Sequence, residues 1–179
     1  MLIMKDITAS SKDLELVRKL NNEAFPLAER VSIDELLTYT GDQNAHLFGF
    51  YDEDLFVGFV FLIVHPRLVY ISFFAVDSDL RGEGYGHQIL KRLQQCYQRP
   101  LALEIERLDE PSDNLDQRSA RLSFYEKNHF RKAKAYLEYE GLSFEILHQG
   151  ERFDEEAYCD IFQQMQEKYQ FDFDIRHYE

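Results

Sequence analysis

Only two cysteines occur in the 179 residues, Cys96 and Cys159, and no C-x-x-C spacing brings them together. A disulfide framework is excluded, and both lie on helix-like segments beside apolar neighbours, which predicts buried free thiols. Long apolar runs are also missing. The longest, residues 55–64, stops at His65-Pro66, well short of the ~20 residues that a membrane-crossing helix needs. The first residues, Met-Leu-Ile-Met-Lys-Asp, carry no basic region followed by an apolar stretch. The expectation is therefore a cytoplasmic chain without a secretory signal or membrane span. Positive charge is the minority, with 20 Lys+Arg against 33 Asp+Glu and a formal charge of −13. That field disfavours nucleic acid and anionic lipid and suits a cationic substrate or partner. The six histidines show neither H-x-x-x-H nor H-E-x-x-H spacing, so no metal is expected.

No repeat, low-complexity tract or linker interrupts the chain, which reads as one domain over residues 1–149 with a C-terminal extension, 150–179, packed on it. Residues 2–7 read as a strand. Leu14, Val17, Leu20 and Ala24 recur at helical spacing and predict a helix over 12–24. Ser32 followed by Glu35 is a capping-box pattern and opens a short second helix through Tyr39, closed by Gly41. Three apolar, aromatic and β-branched runs follow at 46–51, 55–64 and 68–76, separated by short connections. They predict an antiparallel meander with central strands covered on both faces. A helix to about Gln98, a strand over 101–106, a loop over 109–116, a further helix around Leu122 and Tyr125, and a hairpin at 136–147 complete the order. After Gly150 the chain carries nine acidic against three basic residues, with Tyr158, Phe162, Met165 and Tyr169 at helical spacing. This predicts an acidic amphipathic helix and a tail, whose aromatic residues need cover from this chain or from a second copy in a homodimer.

The chemistry concentrates in Asp77-Ser78-Asp79-Leu80-Arg81-Gly82-Glu83-Gly84-Tyr85-Gly86, a glycine-rich turn between a strand and a helix. Converging backbone N–H groups and a helix N-terminus suit a pyrophosphate. Residues 81–99 hold Arg81, Lys91, Arg92 and Arg99 against Glu83 alone, a local reversal of the protein's sign. The competing reading is a tight turn with a solvated basic helix face. A Walker loop is ruled out because His87-Gln88 follows Gly86 where Lys-Ser/Thr is required. A dinucleotide loop needs G-x-G-x-x-G inside a parallel βαβ unit, whereas here G-x-G-x-G follows a meander.

Arg81-Gly82-Glu83-Gly84-Tyr85-Gly86 fits Q/R-x-x-G-x-G/A, and in this the sequence resembles the GNAT superfamily of N-acetyltransferases. The order of elements over residues 2–147 resembles the family's fold as well. So does Phe124-Tyr125-Glu126-Lys127-Asn128-His129-Phe130, except that His129 stands where the family has glycine. Because histidine takes a left-handed conformation less readily than glycine or asparagine, an altered corner is expected there.

The resemblance implies an α/β fold with a mixed, mostly antiparallel central sheet flanked by helices, to which the acidic helix is added. It implies an acyltransferase that moves an acetyl group from acetyl-CoA to a primary amine by direct attack in a ternary complex. The co-substrate would lie between the fourth and fifth strands. Arg81, Gly82, Glu83, Gly84, Tyr85, Gly86 and His87 would hold its pyrophosphate, and the backbone of Phe74, Ala75 and Val76 would pair with pantetheine like an added strand. The Val76 N–H would face the thioester oxygen. Tyr125 would be the general acid. Glu104 and Glu106, two apart on one strand face, are candidates for the base, with Glu104 favoured because burial raises a carboxyl pKa. Glu29 and Arg30 resemble the acceptor-side loop. The acceptor is a small-molecule amine or a protein amino group. A non-catalytic CoA-binding module is the alternative, and whether Tyr125 and Glu104 converge on the thioester position distinguishes the two.

Overall fold

The computed structural model describes residues 1–42 and 44–179. Among these the fold is mixed α/β, with five α-helices and eight strands in mostly antiparallel order. The chain forms two compact units, Met1–Val64 with Ile71–Gln98, and His65–Tyr70 with Arg99–Glu179.

In the first unit, β1 (Ile3–Asp6) pairs antiparallel with β2 (Ala45–Asp52), and β2 pairs antiparallel with β3 (Leu55–Val64). Next in order is β4 (Val69–Val76), whose first two residues belong to the second unit. Helix α1 (Leu14–Ala24) starts two residues later than the periodicity predicts. Asp13 stands at its N-cap but makes no side-chain cap; its carboxylate accepts from the Tyr51 hydroxyl at 3.0 Å instead. Leu14, Val17 and Leu20 bury one stripe of α1 with Leu47, Phe59 and Phe61 in a single core. Helix α2 (Ile33–Tyr39) begins as expected, with the Ser32 hydroxyl accepting from the Glu35 N–H at 3.2 Å. The reciprocal half of the capping box does not form, because the Glu35 carboxylate accepts from the Tyr39 hydroxyl one turn on.

A 3-10 turn, Ser78–Leu80, leads from β4 through the glycine segment into α3 (Tyr85–Tyr97). Ile89, Leu90 and Leu93 are its buried face. Cys96 is exposed, contrary to expectation, and Cys159 is half-buried; neither is bonded to the other. Cys96 sits in the last turn, beyond the three residues that form the buried stripe.

In the second unit, Val69 and Tyr70 of β4 run parallel to Leu101 and Ala102 of β5 (Leu101–Glu106). β5 pairs antiparallel with β7 (Leu142–His148), and β7 with β6 (Arg131–Tyr139). The β6–β7 hairpin turns at Glu140-Gly141, both at positive φ, the conformation that a two-residue loop of this twist requires. β6 is longer than the sequence suggests because it is interrupted; its register shifts between Lys132 and Tyr136, with Lys134 at φ 59°. Such a bulge breaks the period-2 signal.

Helix α4 (Leu115–Lys127) precedes β6 and helix α5 (Glu155–Tyr169) follows β7. Asp154 caps α5, accepting from the Ala157 N–H at 3.1 Å, and Tyr158, Ile161 and Phe162 are its largest buried side chains. The last segment differs from the expected tail. Phe173–His177 is a strand, β8, antiparallel to β6, with Phe173 opposite Tyr139 and Ile175 opposite Leu137. Phe171, Phe173 and Ile175 alternate with Asp172, Asp174 and Arg176, a strand pattern masked by the acidity of the segment.

Candidate active site

The glycine segment of the first unit has the conformation an anion cradle needs. Gly82 and Gly84 stand at φ 86° and 84°, and a β-carbon at either would meet no heavy atom within 4 Å. The glycines are therefore not required by close packing within the chain. They set a left-handed backbone and leave open the space that side chains would enter. Gly84 is the N-cap of α3, and the first helical hydrogen bond runs from the Gln88 N–H to the Gly84 carbonyl at 3.1 Å. The N–H groups at the helix start, Tyr85 and Gly86 among them, precede that bond and carry the partial positive charge of a helix end. Arg81, Glu83 and His87 are exposed around them, and the Tyr85 hydroxyl donates to Asp52 at 2.8 Å, fixing the first residue of the helix to the end of β2. These features fit the diphosphate of a CoA molecule. In β4 of the same unit, Phe74 and Val76 are half-buried and Ala75 is buried.

Glu29 and Arg30 follow α1 in this unit. Arg30 is turned back on the helix, where its guanidinium donates to the Phe25 carbonyl at 3.0 and 3.1 Å and to Asn22 at 3.2 Å. It closes the end of α1, a role that its sequence neighbourhood does not reveal.

The second unit holds the titratable groups. Both carboxylates of β5 lie on one strand face, as their spacing requires, yet their surroundings differ. Glu106 is ion-paired with Arg121 at 2.5 Å and with Arg118 at 3.8 Å. Among the described residues no cation pairs with Glu104. Its Oε1 accepts from the Tyr70 hydroxyl and its Oε2 from the Tyr158 hydroxyl at 2.9 Å. Loss of water around the carboxylate outweighs these two hydrogen bonds and pushes its pKa to about 7. Tyr70 and Tyr158 are packed edge to face, ring centroids 5.6 Å apart, and both hydroxyls are directed at the one carboxylate. Sequence reasoning missed both: Tyr70 lies in an apolar strand run and Tyr158 on an aromatic helix stripe, where each reads as core. A buried tyrosine needs a partner for its hydroxyl, which was the signal to follow.

Tyr125 lies in the last turn of α4, only 8% exposed, between Phe124 and Phe130. Burial raises its pKa to about 12, with Arg121 opposing and Glu104 reinforcing the shift. Among the described residues its hydroxyl has no hydrogen-bond partner. The helix ends in a complete Schellman motif. The Phe130 N–H donates to the Tyr125 carbonyl at 3.0 Å and the His129 N–H to the Glu126 carbonyl at 3.0 Å, with His129 at φ 66°. The corner is thus kept despite histidine at the glycine position, and the Tyr125–Phe130 ring contact across it closes the motif.

Among the described residues no group of three or more His, Cys, Asp or Glu is arranged to hold a metal ion, and no helix is long and apolar enough to cross a membrane.

Residues 43–132 match the model of the acetyltransferase (GNAT) domain. A GNAT-family protein from Bacteroides thetaiotaomicron superposes with a TM-score of 0.74 at 27% identity, over 92% of this chain and 96% of that one. The ribosomal-protein-S18-alanine N-acetyltransferase of Escherichia coli superposes with a TM-score of 0.57 at 18% identity, over 86% and 96%. The PaiA N-acetyltransferase of Thermoplasma acidophilum, solved in complex with coenzyme A, gives 0.59 at 16%, over 84% and 99%. No curated protein matches the chain. A mixed sheet entered by a glycine cradle at a helix start, with that domain match, defines an acyltransferase fold. The chain belongs to the GNAT acetyltransferase family.

Proposed function

We propose that this acyltransferase moves an acetyl group from acetyl-CoA to a primary amine by direct attack in a ternary complex, within the cytoplasm. Residues 1–149 are the transferase domain and 150–179 its extension. Arg81, Gly82, Glu83, Gly84, Tyr85, Gly86 and His87 hold the pyrophosphate, chiefly through backbone N–H groups and the α3 start. The backbone of Phe74, Ala75 and Val76 receives the pantetheine, with the Val76 N–H turned to the carbonyl oxygen. Glu29 is assigned to the acceptor side. Arg30, tied to the end of α1, shapes that loop rather than touching substrate.

One observation carries the catalytic reading: in the second unit a buried carboxyl of raised pKa, Glu104, and a buried phenol, Tyr125, lie near enough to influence each other electrostatically. An alkylammonium must lose a proton before its nitrogen attacks, and the negative charge that gathers on sulfur as the carbon–sulfur bond breaks must be stabilised by a hydrogen-bond donor until the released thiolate takes a proton from water. Glu104, with a pKa of about 7, is substantially ionised at neutral pH yet basic enough to accept the first proton. Tyr125 is fully protonated there, and its unpartnered hydroxyl is available to the sulfur. A phenol at about 12 is a far weaker acid than a thiol of ordinary pKa, ~8.5. Tyr125 therefore stabilises the departing thiolate chiefly by hydrogen bonding. Glu106, held by two arginines, is the weaker candidate for a base and serves to hold α4 against β5.

The net charge of −13 favours an acceptor that is cationic before deprotonation. The test is release of free thiol from acetyl-CoA with spermidine, kanamycin and a lysine-containing peptide as acceptors. Turnover with at least one is expected, with Glu104→Gln reducing it strongly and Tyr125→Phe by about 10- to 100-fold, the worth of one charge-assisted hydrogen bond. Acetyl-CoA binding without turnover on any of the three contradicts the reading and favours a non-catalytic module.

A further inference from the structure

Helix α5 lies outside the stretch matched by the family model, which ends at residue 132. It nevertheless delivers a hydroxyl to the carboxylate of β5. We infer that Tyr158 of α5 and Tyr70 of β4 form a two-phenol clamp that orients Glu104 and sets its basicity, making the C-terminal helix part of the catalytic apparatus. The inference rests on the assignment of Glu104 as the base, and Tyr70 and Tyr158 act as positioning residues.

The geometry leaves Glu104 little freedom. Each carboxylate oxygen accepts from a different phenol, one on the neighbouring parallel strand and one on a helix, 54 residues further along the chain. The rings that carry the hydroxyls are themselves fixed. Tyr158 is fully buried and packs on Phe162 at 4.8 Å and on Phe153 at 5.4 Å, while Tyr70 packs on Phe162 at 5.2 Å. The start of α5 is held by charge, Arg67 pairing with Asp154 at 3.2 Å and Glu156 at 2.8 Å, and further along the helix the Asp160 carboxylate lies 3.5 Å from the His65 Nε2. Both Arg67 and His65 lie in the turn that leads into β4, so the segment that supplies Tyr70 also grips the helix that supplies Tyr158.

The groups that meet Glu104 are Tyr70 from β4, Tyr158 from α5 and, electrostatically, Tyr125 from α4; its partner across the sheet on β7 is the apolar Ile146. The next acid on its own strand, Glu106, is neutralised by Arg118 and Arg121. Phenols suit this position. They donate to the ionised carboxylate without a formal charge, so they hold its geometry and limit the rise in pKa without abolishing basicity, as an arginine would.

The test follows the carboxyl itself. The full chain is labelled with ¹³Cδ-glutamate, the Glu104 resonance is identified by its loss in Glu104→Gln, and it is titrated by NMR in wild type, Tyr158→Phe and Tyr70→Phe. The wild-type midpoint is expected at about 7. Each phenylalanine keeps its ring and loses one hydrogen bond to the charged form, so each midpoint should rise by about one unit, a tenfold weaker acid. Thermal unfolding checks that each variant is native, and Tyr70→Phe reports on the other oxygen if Tyr158→Phe does not fold. Unmoved midpoints in folded variants would overturn the clamp while leaving the base assignment intact. Wild-type turnover by Glu104→Gln would overturn the base assignment, and with it the catalytic role of α5, whatever the titration shows.

Discussion

Replacing Glu104 by glutamine changes how the stability of the protein depends on pH. The folded-state pKa of Glu104 is raised to about 7 from an ordinary value of 4.5. The native state therefore holds this proton more tightly than the unfolded chain. The associated stabilisation is fully present below about pH 4.5 and is lost as pH rises through about 7. Relative to the fully protonated group, the ionisable carboxyl costs about 1 kcal/mol at pH 5 and about 3 kcal/mol at pH 8. Glutamine has no such term. Any mismatch that its amide makes with the Tyr70 and Tyr158 hydroxyls does not vary with pH over this range. Urea unfolding of wild type and Glu104→Gln at the two pH values isolates the effect, because every other carboxylate titrates in both proteins. The stability of the variant relative to wild type should increase by about 2 kcal/mol between pH 5 and pH 8. A relative stability that stays constant within about 0.5 kcal/mol would refute the raised pKa and, with it, the argument for Glu104 as a base poised at neutral pH.

Two further substitutions probe the framework around the site. His129→Gly should stabilise the protein by about 0.5–1 kcal/mol, raising the melting temperature by a few degrees in calorimetry, because residue 129 stands at φ 66° in the Schellman turn after Tyr125; a loss of stability would mean that the imidazole contributes more than its strained backbone costs. Gly58→Ala should destabilise by about 1–3 kcal/mol and weaken acetyl-CoA binding, since its β-carbon would fall onto the Ala75 carbonyl oxygen and lie 3.2 Å from the Val76 Cα, within the strand segment assigned to pantetheine. Unchanged melting and affinity would exclude that close approach.

The elements most legible in the sequence are those whose identity rests on local chemistry. β5 begins and ends at the predicted residues, because Pro100 and the polar stretch after Glu106 bound a short β-prone run. Ser32 marks the start of α2 by a hydrogen bond within one turn. The glycine turn into α3 was legible because Gly82 and Gly84 stand at positive φ, a property that sequence spacing carries directly. What escaped depends on distant partners. Tyr158 meets Glu104 across 54 positions of chain, and nothing in an aromatic helix stripe tells which hydroxyl will need an acceptor. β8 alternates correctly but is short and acidic, so its strand character depends on pairing with β6. The two acids of β5 looked equivalent in sequence; Arg118 and Arg121, one turn apart on α4, separate them by claiming Glu106.

Acetyl-CoA binding, measured by titration calorimetry with wild type and Gly84→Asp, bears most directly on the central claim that the loop into α3 is a pyrophosphate cradle. Aspartate tolerates a left-handed backbone better than most residues, and a β-carbon at position 84 meets no neighbour within 4 Å, so the variant should fold. It places a side chain and a negative charge at the start of the helix, at the position proposed for the pyrophosphate. The account predicts binding by wild type and an affinity lower by about tenfold or more in the folded variant. Equal affinity in the two proteins, or no binding by wild type at about millimolar acetyl-CoA, would contradict it.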